Sequence, residues 1–359
     1  MCRGNRNPPE IAASPVPLWM PQEEFGLQSH LHRHRVDGGW ISWWAMATNI
    51  DAAVDRIDSF QQLRERASLL GPRRVGIVQA EDEAALEAAY EALRTHIARP
   101  VLIGDVARIR EMAQRRGLWH LIEHAELIHA PETALTTAIG LARDSRIDML
   151  MKGHIRTDQF FHSIFKKEFG LRTGRLFTDV AFFEHPDKEE KRLVGITDVA
   201  INISPNLEKM TQIVFNAIEA MACLGIRQPK IAVMSAAEVV SEAIRSTTEA
   251  RKLTEMGQAG VFGDAQVFGP LALDNALYEW AARAKGIDHP VAGHADCLVV
   301  PTVEAGNLLV KAIIFVAHLE CAHIVVGAKV PILITSRVES AQDKVNTMAL
   351  GVLYASRQG

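Results

Sequence analysis

Short apolar runs of strand length recur along this chain with helix-length stretches rich in Ala, Leu and Glu between them, and this alternation limits the fold more than any other feature. Residues 74–79, 100–105, 125–129 and 149–153 read as buried strands. Residues 57–68, 81–97, 106–116 and 132–143 read as helices. Strands separated by ten or more helical residues cannot pair as tight hairpins, so they stack as βαβ units in a mainly parallel sheet. The expected class is therefore α/β.

The second half keeps this grammar with one interruption. Residues 175–183 and 192–198 read as two strands joined by the charged loop 185–191, the strongest hairpin signal in the sequence and a solvated tip. Helices are expected over 207–224, 238–254 and 305–319, and strands over 230–235, 295–300 and 323–326. A last short strand begins at Pro331 and ends in Thr335-Ser336-Arg337. Gly269, Pro270 and Gly293 read as turn residues, and no internal repeat is visible.

At 359 residues and 48% hydrophobic, the chain can bury one large core or two ordinary ones. A net charge of −4 gives no general attraction to nucleic acid or to an anionic membrane, so neither is an expected partner. No apolar run is long enough to span a bilayer. The four cysteines, Cys2, Cys223, Cys297 and Cys321, lie far apart without metal-finger spacing, which fits reduced, buried thiols in a cytoplasmic protein with no metal. The first 49 residues break the pattern: prolines interrupt any helix, and a histidine-rich stretch around His30–His34 has nothing near it to hold ligands rigidly. They read as a disordered or spurious extension, with Met46 as the expected start.

Chemistry concentrates at strand ends. In open α/β sheets ligands bind beyond the carboxyl ends of the strands, and Ser336 and Arg337 stand at such an end. The hydroxyl suits a helix cap or an oxyanion, and the guanidinium presents a planar fork that matches phosphate. Asp343 follows on the next helix. No Gly-x-Gly-x-x-Gly follows a strand and no phosphate-loop motif occurs, so a nucleotide cofactor has no cradle.

Five ordered blocks accompany the Thr-Ser-Arg segment: Met151-Lys152-Gly153 through Thr157, Gly225 through Ser235, Val267 through Ala276, Val291 through Pro301, and Glu304 through Lys311. In this order, over about 73–356, they resemble the phosphate acetyltransferase and phosphate butyryltransferase family. The resemblance implies two α/β subdomains with mainly parallel sheets, similar to isocitrate and isopropylmalate dehydrogenases. An interdomain cleft would lie between a first domain of 50–155 plus 320–359 and a second of 156–319. It implies a homodimer that transfers an acetyl or butyryl group between CoA, as substrate and not as cofactor, and inorganic phosphate.

On this resemblance Asp343 is the base for the CoA thiol, Ser336 its hydrogen-bonding partner and Arg337 the anion stabiliser, with Glu339 as the alternative base. Lys152, Thr157, Arg172, Asn307 and Lys311 are expected to bind substrate. His162 stands where the acetyl branch carries a phosphate-binding Arg, a change that should weaken phosphate binding unless Lys152, Arg156 or Arg172 compensates. The alternative reading is a non-catalytic acyl-CoA-sensing module of the same fold.

Overall fold

The computed structural model describes residues 34–36, 39–41 and 55–358. The chain divides into two compact units, 1–49 and 50–359. In the first, β1 (His34–Val36) pairs antiparallel with β2 (Gly39–Ile41). The rest of that extension, with the Met46 start, lies outside the described residues.

The second unit is built on one sheet of 11 strands. Helix α1 (Phe60–Leu70) precedes β3 (Arg73–Val78), α2 (Glu83–Arg94), β4 (Ala98–Gly104), α3 (Val106–Arg115), α4 (Trp119–His124), β5 (Glu126–His129), α5 (Ala134–Arg143) and β6 (Met149–Lys152). These strands pair in parallel in the order β6-β3-β4-β5, as the alternation predicts. Local chemistry starts the helices where the sequence places them. Asp82, for example, caps the Ala- and Glu-rich α2 by accepting from the Ala85 N–H at 2.8 Å.

After α6 (Thr157–Ile164) the chain forms the antiparallel hairpin β7 (Thr178–Glu184) and β8 (Leu193–Thr197). A second parallel block follows: α7 (Leu207–Cys223), β9 (Lys230–Met234), α8 (Arg245–Gln258), β10 (Gln266–Leu271), α9 (Leu273–Leu277), α10 (Glu279–Ala284), β11 (Cys297–Val299) and α11 (Val303–Phe315). Its strands run parallel in the order β8-β11-β9-β10. Helix α8 starts later than the sequence suggests, and Gly269 and Pro270 lie inside β10 instead of in a turn. That strand is the sheet edge, where a missing N–H is tolerated, and its register shifts between Phe268 and Leu271.

The last forty residues return to the middle of the sheet. Strand β12 (Cys321–Val326) pairs antiparallel with both β7 and β13 (Ile332–Leu333), and β13 pairs in parallel with β6. Helix α12 (Ala341–Gln358) then packs on α1, α2 and β12. One apolar cluster gathers α5 and α6 against β3, β4, β6 and β13; another gathers α11 against β7, β8, β9 and β11. The two parallel blocks run in opposite directions, and the reversal falls at β7 and β12.

Candidate active site

A cavity of about 520 Å³ opens at this reversal. Three backbone segments supply most of its polar groups. Lys152 ends β6 and is followed by Arg156 and Thr157 at the start of α6. Thr335, Ser336, Arg337 and Glu339 follow β13. Asn307 and Lys311 project from α11 on the other side. Asp179 of β7 and His323 of β12 form the floor. Val199, Val310, Ile314, Phe315 and Ile334 add apolar wall.

Of the residues expected to act on substrate, Ser336, Arg337, Lys152, Thr157, Asn307 and Lys311 line this cavity together. Three others do not. His162 is exposed on α6; five residues beyond Thr157 it is turned by about 140° around the helix. The Arg172 backbone bridges to Ala328 while its side chain faces solvent. Asp343 is buried beneath the site, where its oxygens accept from the Cys321 N–H (2.9 Å), the Ser340 N–H (3.1 Å) and the Ser340 hydroxyl (2.6 Å). The Asp343 N–H donates back to Ser340 Oγ at 3.1 Å, which completes a reciprocal cap on α12.

The turn that carries Ser336 and Arg337 is held from below. Lys344, 2% exposed, donates from Nζ to the carbonyls of Ser336 and Glu339, both at 3.0 Å. Lys152, also 2% exposed, lies 3.4 Å from the Thr335 carbonyl. Burial, together with the charges of Arg337 and Lys344, pulls the Lys152 ammonium below the usual lysine range. The site is therefore a concentration of positive charge in a partly desolvated place, the setting that holds an anion.

Asp179 stands on the floor, and a second carboxyl, Asp198, is buried outside the cavity lining. Asp198, at the end of β8, is pushed up to about 6 chiefly by burial, opposed by the Ala200 N–H and reinforced by Asp179. Its carboxylate also accepts from the Ile201 and Asn202 N–H groups at 3.1 and 2.9 Å, shaping the loop that brings Val199 and Ala200 to the cavity. Asn307 Nδ2 lies 3.5 Å from the Val199 carbonyl. Asp179, His323 and Lys344 went unnoticed in the sequence, although a lone ionisable residue inside an apolar strand is the signal that marks the first two. Among the described residues, one group could hold a metal ion, His120, Glu123 and His124; it is exposed on α4 and lines no part of the cavity.

A profile of the family phosphate acetyl/butaryl transferase matches residues 115–352. The chain is 40% identical over 279 residues to a phosphate acetyltransferase of Rhizobium meliloti, covering 77% of this chain and 87% of that one. It is 36% identical over 300 residues to a phosphate butyryltransferase of Clostridium beijerinckii, covering 83% and 98%. Among solved structures, a branched-chain phosphotransacylase from Enterococcus faecalis V583 superposes with a TM-score of 0.68 at 29% identity, covering 80% of this chain and 98% of that one. A phosphotransacetylase from Staphylococcus aureus shares the fold, with a TM-score of 0.65 at 20% identity over 82% and 99%. With a profile spanning more than half of its length and relatives this similar over most of theirs, the chain belongs to the phosphate acetyl/butyryl transferase family.

Proposed function

We propose that the protein transfers a short acyl group, acetyl or butyryl, between CoA and inorganic phosphate, directly and without a cofactor. The observation that carries this reading is the single cavity in which Ser336 and Arg337 meet Lys152, Arg156, Asn307 and Lys311. In the direction that forms acyl-CoA, the thiol loses its proton and sulfur attacks the carbonyl carbon of the acyl phosphate. The carbonyl oxygen gains negative charge, and phosphate leaves with the electrons of the broken C–O bond.

The chain supplies each need. Arg337 offers paired donors to phosphate, and the N-terminus of α6 at Thr157 favours the same anion, while the Arg156 fork beside it is held by Asp158 through Nε and Nη2, both at 3.1 Å. The Ser336 hydroxyl and the Asn307 amide are the donors available to a developing oxyanion. Lys311, exposed on the α11 rim beside the Phe315 ring, suits the anionic end of CoA, and Val310 and Ile314 suit the acyl chain. His162 and Arg172 stand outside this cavity, and Arg156 is a further cation on its rim. The two oppositely directed blocks fit a division into 50–155 plus 320–359 and 156–319 with substrate between them, although α6 packs into the apolar cluster of the first block. No helix among the described residues is long and apolar enough to cross a membrane. A cytoplasmic homodimer completes the reading.

The test is phosphate-dependent release of CoA thiol from acetyl-CoA and butyryl-CoA. Turnover with either, reduced by about 10²–10³-fold in Arg337→Ala, is the expected result. Tight CoA binding without turnover of either thioester overturns the reading in favour of a sensor.

A further inference from the structure

Away from the cavity, α4 carries a set of side chains with a different chemistry. His120, Glu123 and His124 are all exposed there, and a ring nitrogen or carboxylate oxygen from each lies within 4.8 Å of the others. Their spacing explains this. Positions i, i+3 and i+4 share one face of a helix, while Leu121 is buried away from that face and anchors it. Two further contacts orient the rings. The His120 ring meets Tyr90 of α2 edge-on, with centroids 6.4 Å apart, and its centroid lies 4.1 Å from that of His124. His124 Nδ1 is 2.9 Å from the His120 carbonyl. A carbonyl only accepts, so Nδ1 carries the proton and the Nε2 lone pair of the neutral ring is left free. A backbone carbonyl on the far nitrogen is also what fixes the tautomer of a ligating histidine in protein metal sites.

We propose that His120, Glu123 and His124 form a surface site for a divalent first-row transition ion of the zinc class. Two imidazoles and one carboxylate are a donor set that zinc takes, whereas magnesium and calcium select oxygen. Around a tetrahedral zinc, with bonds of about 2.0 Å, ligand atoms stand about 3.3 Å apart, so these side chains close by no more than about 1.5 Å. Exposed side chains make such moves on fast timescales. Water completes the coordination. The ion joins the two ends of the last turn of α4, a six-residue helix with no side-chain cap at its start. That helix packs on α2 and α3 and leads into β5, the outermost strand on its side of the sheet. The ion is therefore a clamp at the sheet edge, and none of its three ligands lines the cavity.

Diethyl pyrocarbonate acylates free imidazole nitrogens, and peptide mass mapping reads each histidine separately. Full-length wild type, Glu123→Gln and His124→Gln are modified with and without zinc, with magnesium as the control ion and thermal denaturation to confirm folding. His96 and His162, exposed and in no such group among the described residues, are the internal references. Mapping also separates α4 from the histidines at positions 30, 32 and 34, which can take up zinc themselves. Zinc is expected to protect His120 and His124 together, at a concentration at least about tenfold below that which protects the references, because the second ligand is already at hand. Magnesium is expected to protect neither. The zinc needed for half-protection should rise about 10–100-fold for both rings in Glu123→Gln, and for His120 in His124→Gln. Hydrogen exchange over 119–126 should slow with zinc in wild type and not in His124→Gln. Protection of the two rings only where the references are also protected overturns the site, as does equal protection by magnesium or protection undiminished in both variants. Exchange that zinc leaves unchanged in wild type overturns the clamp.

Discussion

At the scale of single residues, Asp343 and Glu339 show how burial sorts chemically equal side chains. Asp343 is tied into a reciprocal cap with Ser340 and also satisfies the first N–H of β12. Asp343→Ala should therefore cost about 1–3 kcal/mol of stability, read as a lowered urea midpoint, because it removes a cap and orphans a buried donor. Spacing alone could not separate the two acids, since both follow Ser336 within a turn or two of helix. The Ser-x-x-Asp pattern at 340–343 was the available signal, because that pair closes a helix end on itself. Ser336, Arg337, Lys152 and Asn307 were legible for the opposite reason: they stand at strand ends or helix starts, where backbone geometry alone fixes their direction. The buried Asp179–His323 pair depends on which strands become neighbours, and a strand read by itself does not say that.

Among the elements, α11 is the one whose closeness to its neighbour sets the width of the cavity. Gly306 lets it approach the chain leaving β8: a Cβ there would meet the Asp198 carbonyl at 2.6 Å and the Val199 Cα at 3.1 Å. Gly306→Ala should push Asn307 and Lys311 outward, costing about 1–3 kcal/mol and raising KM for acyl-CoA more than it lowers kcat. Thermal denaturation and steady-state kinetics check the two halves of this expectation. Strands and helices of the βαβ blocks were legible because their periods differ, 2 against 3.6, and because turns separate them cleanly. Strand β10 was hidden by Gly269-Pro270, residues that ordinarily break a ladder but are harmless on an edge. Helix α4 is too short, at six residues, to show a period.

For the molecule as a whole, the pH dependence of stability should carry the mark of Asp198. Its carboxyl is raised to about 6, mainly by burial, so the folded state binds the proton more tightly than the unfolded chain does. Its contribution to stability is then fully present below about pH 4 and is lost as pH rises through about 6. The swing is about 3 kcal/mol. Asp198→Asn, which has no proton to exchange, should flatten the slope of urea midpoint against pH between those limits, and an unchanged slope would contradict the assignment.

The placement of β12 and β13 also governs the order in which the protein can be completed. They are the last two strands of the sheet in chain order, yet they occupy its centre, with β7 on one side and β6 on the other. Until they emerge, the β6 block ends in a bare edge, and so does the β7–β8 side of the other block. Exposed strand edges recruit other chains. Growth from the amino terminus therefore cannot proceed lobe by lobe; a polypeptide made only as far as α11 still lacks the seam that joins the two blocks, and the cavity comes into being only when that seam closes.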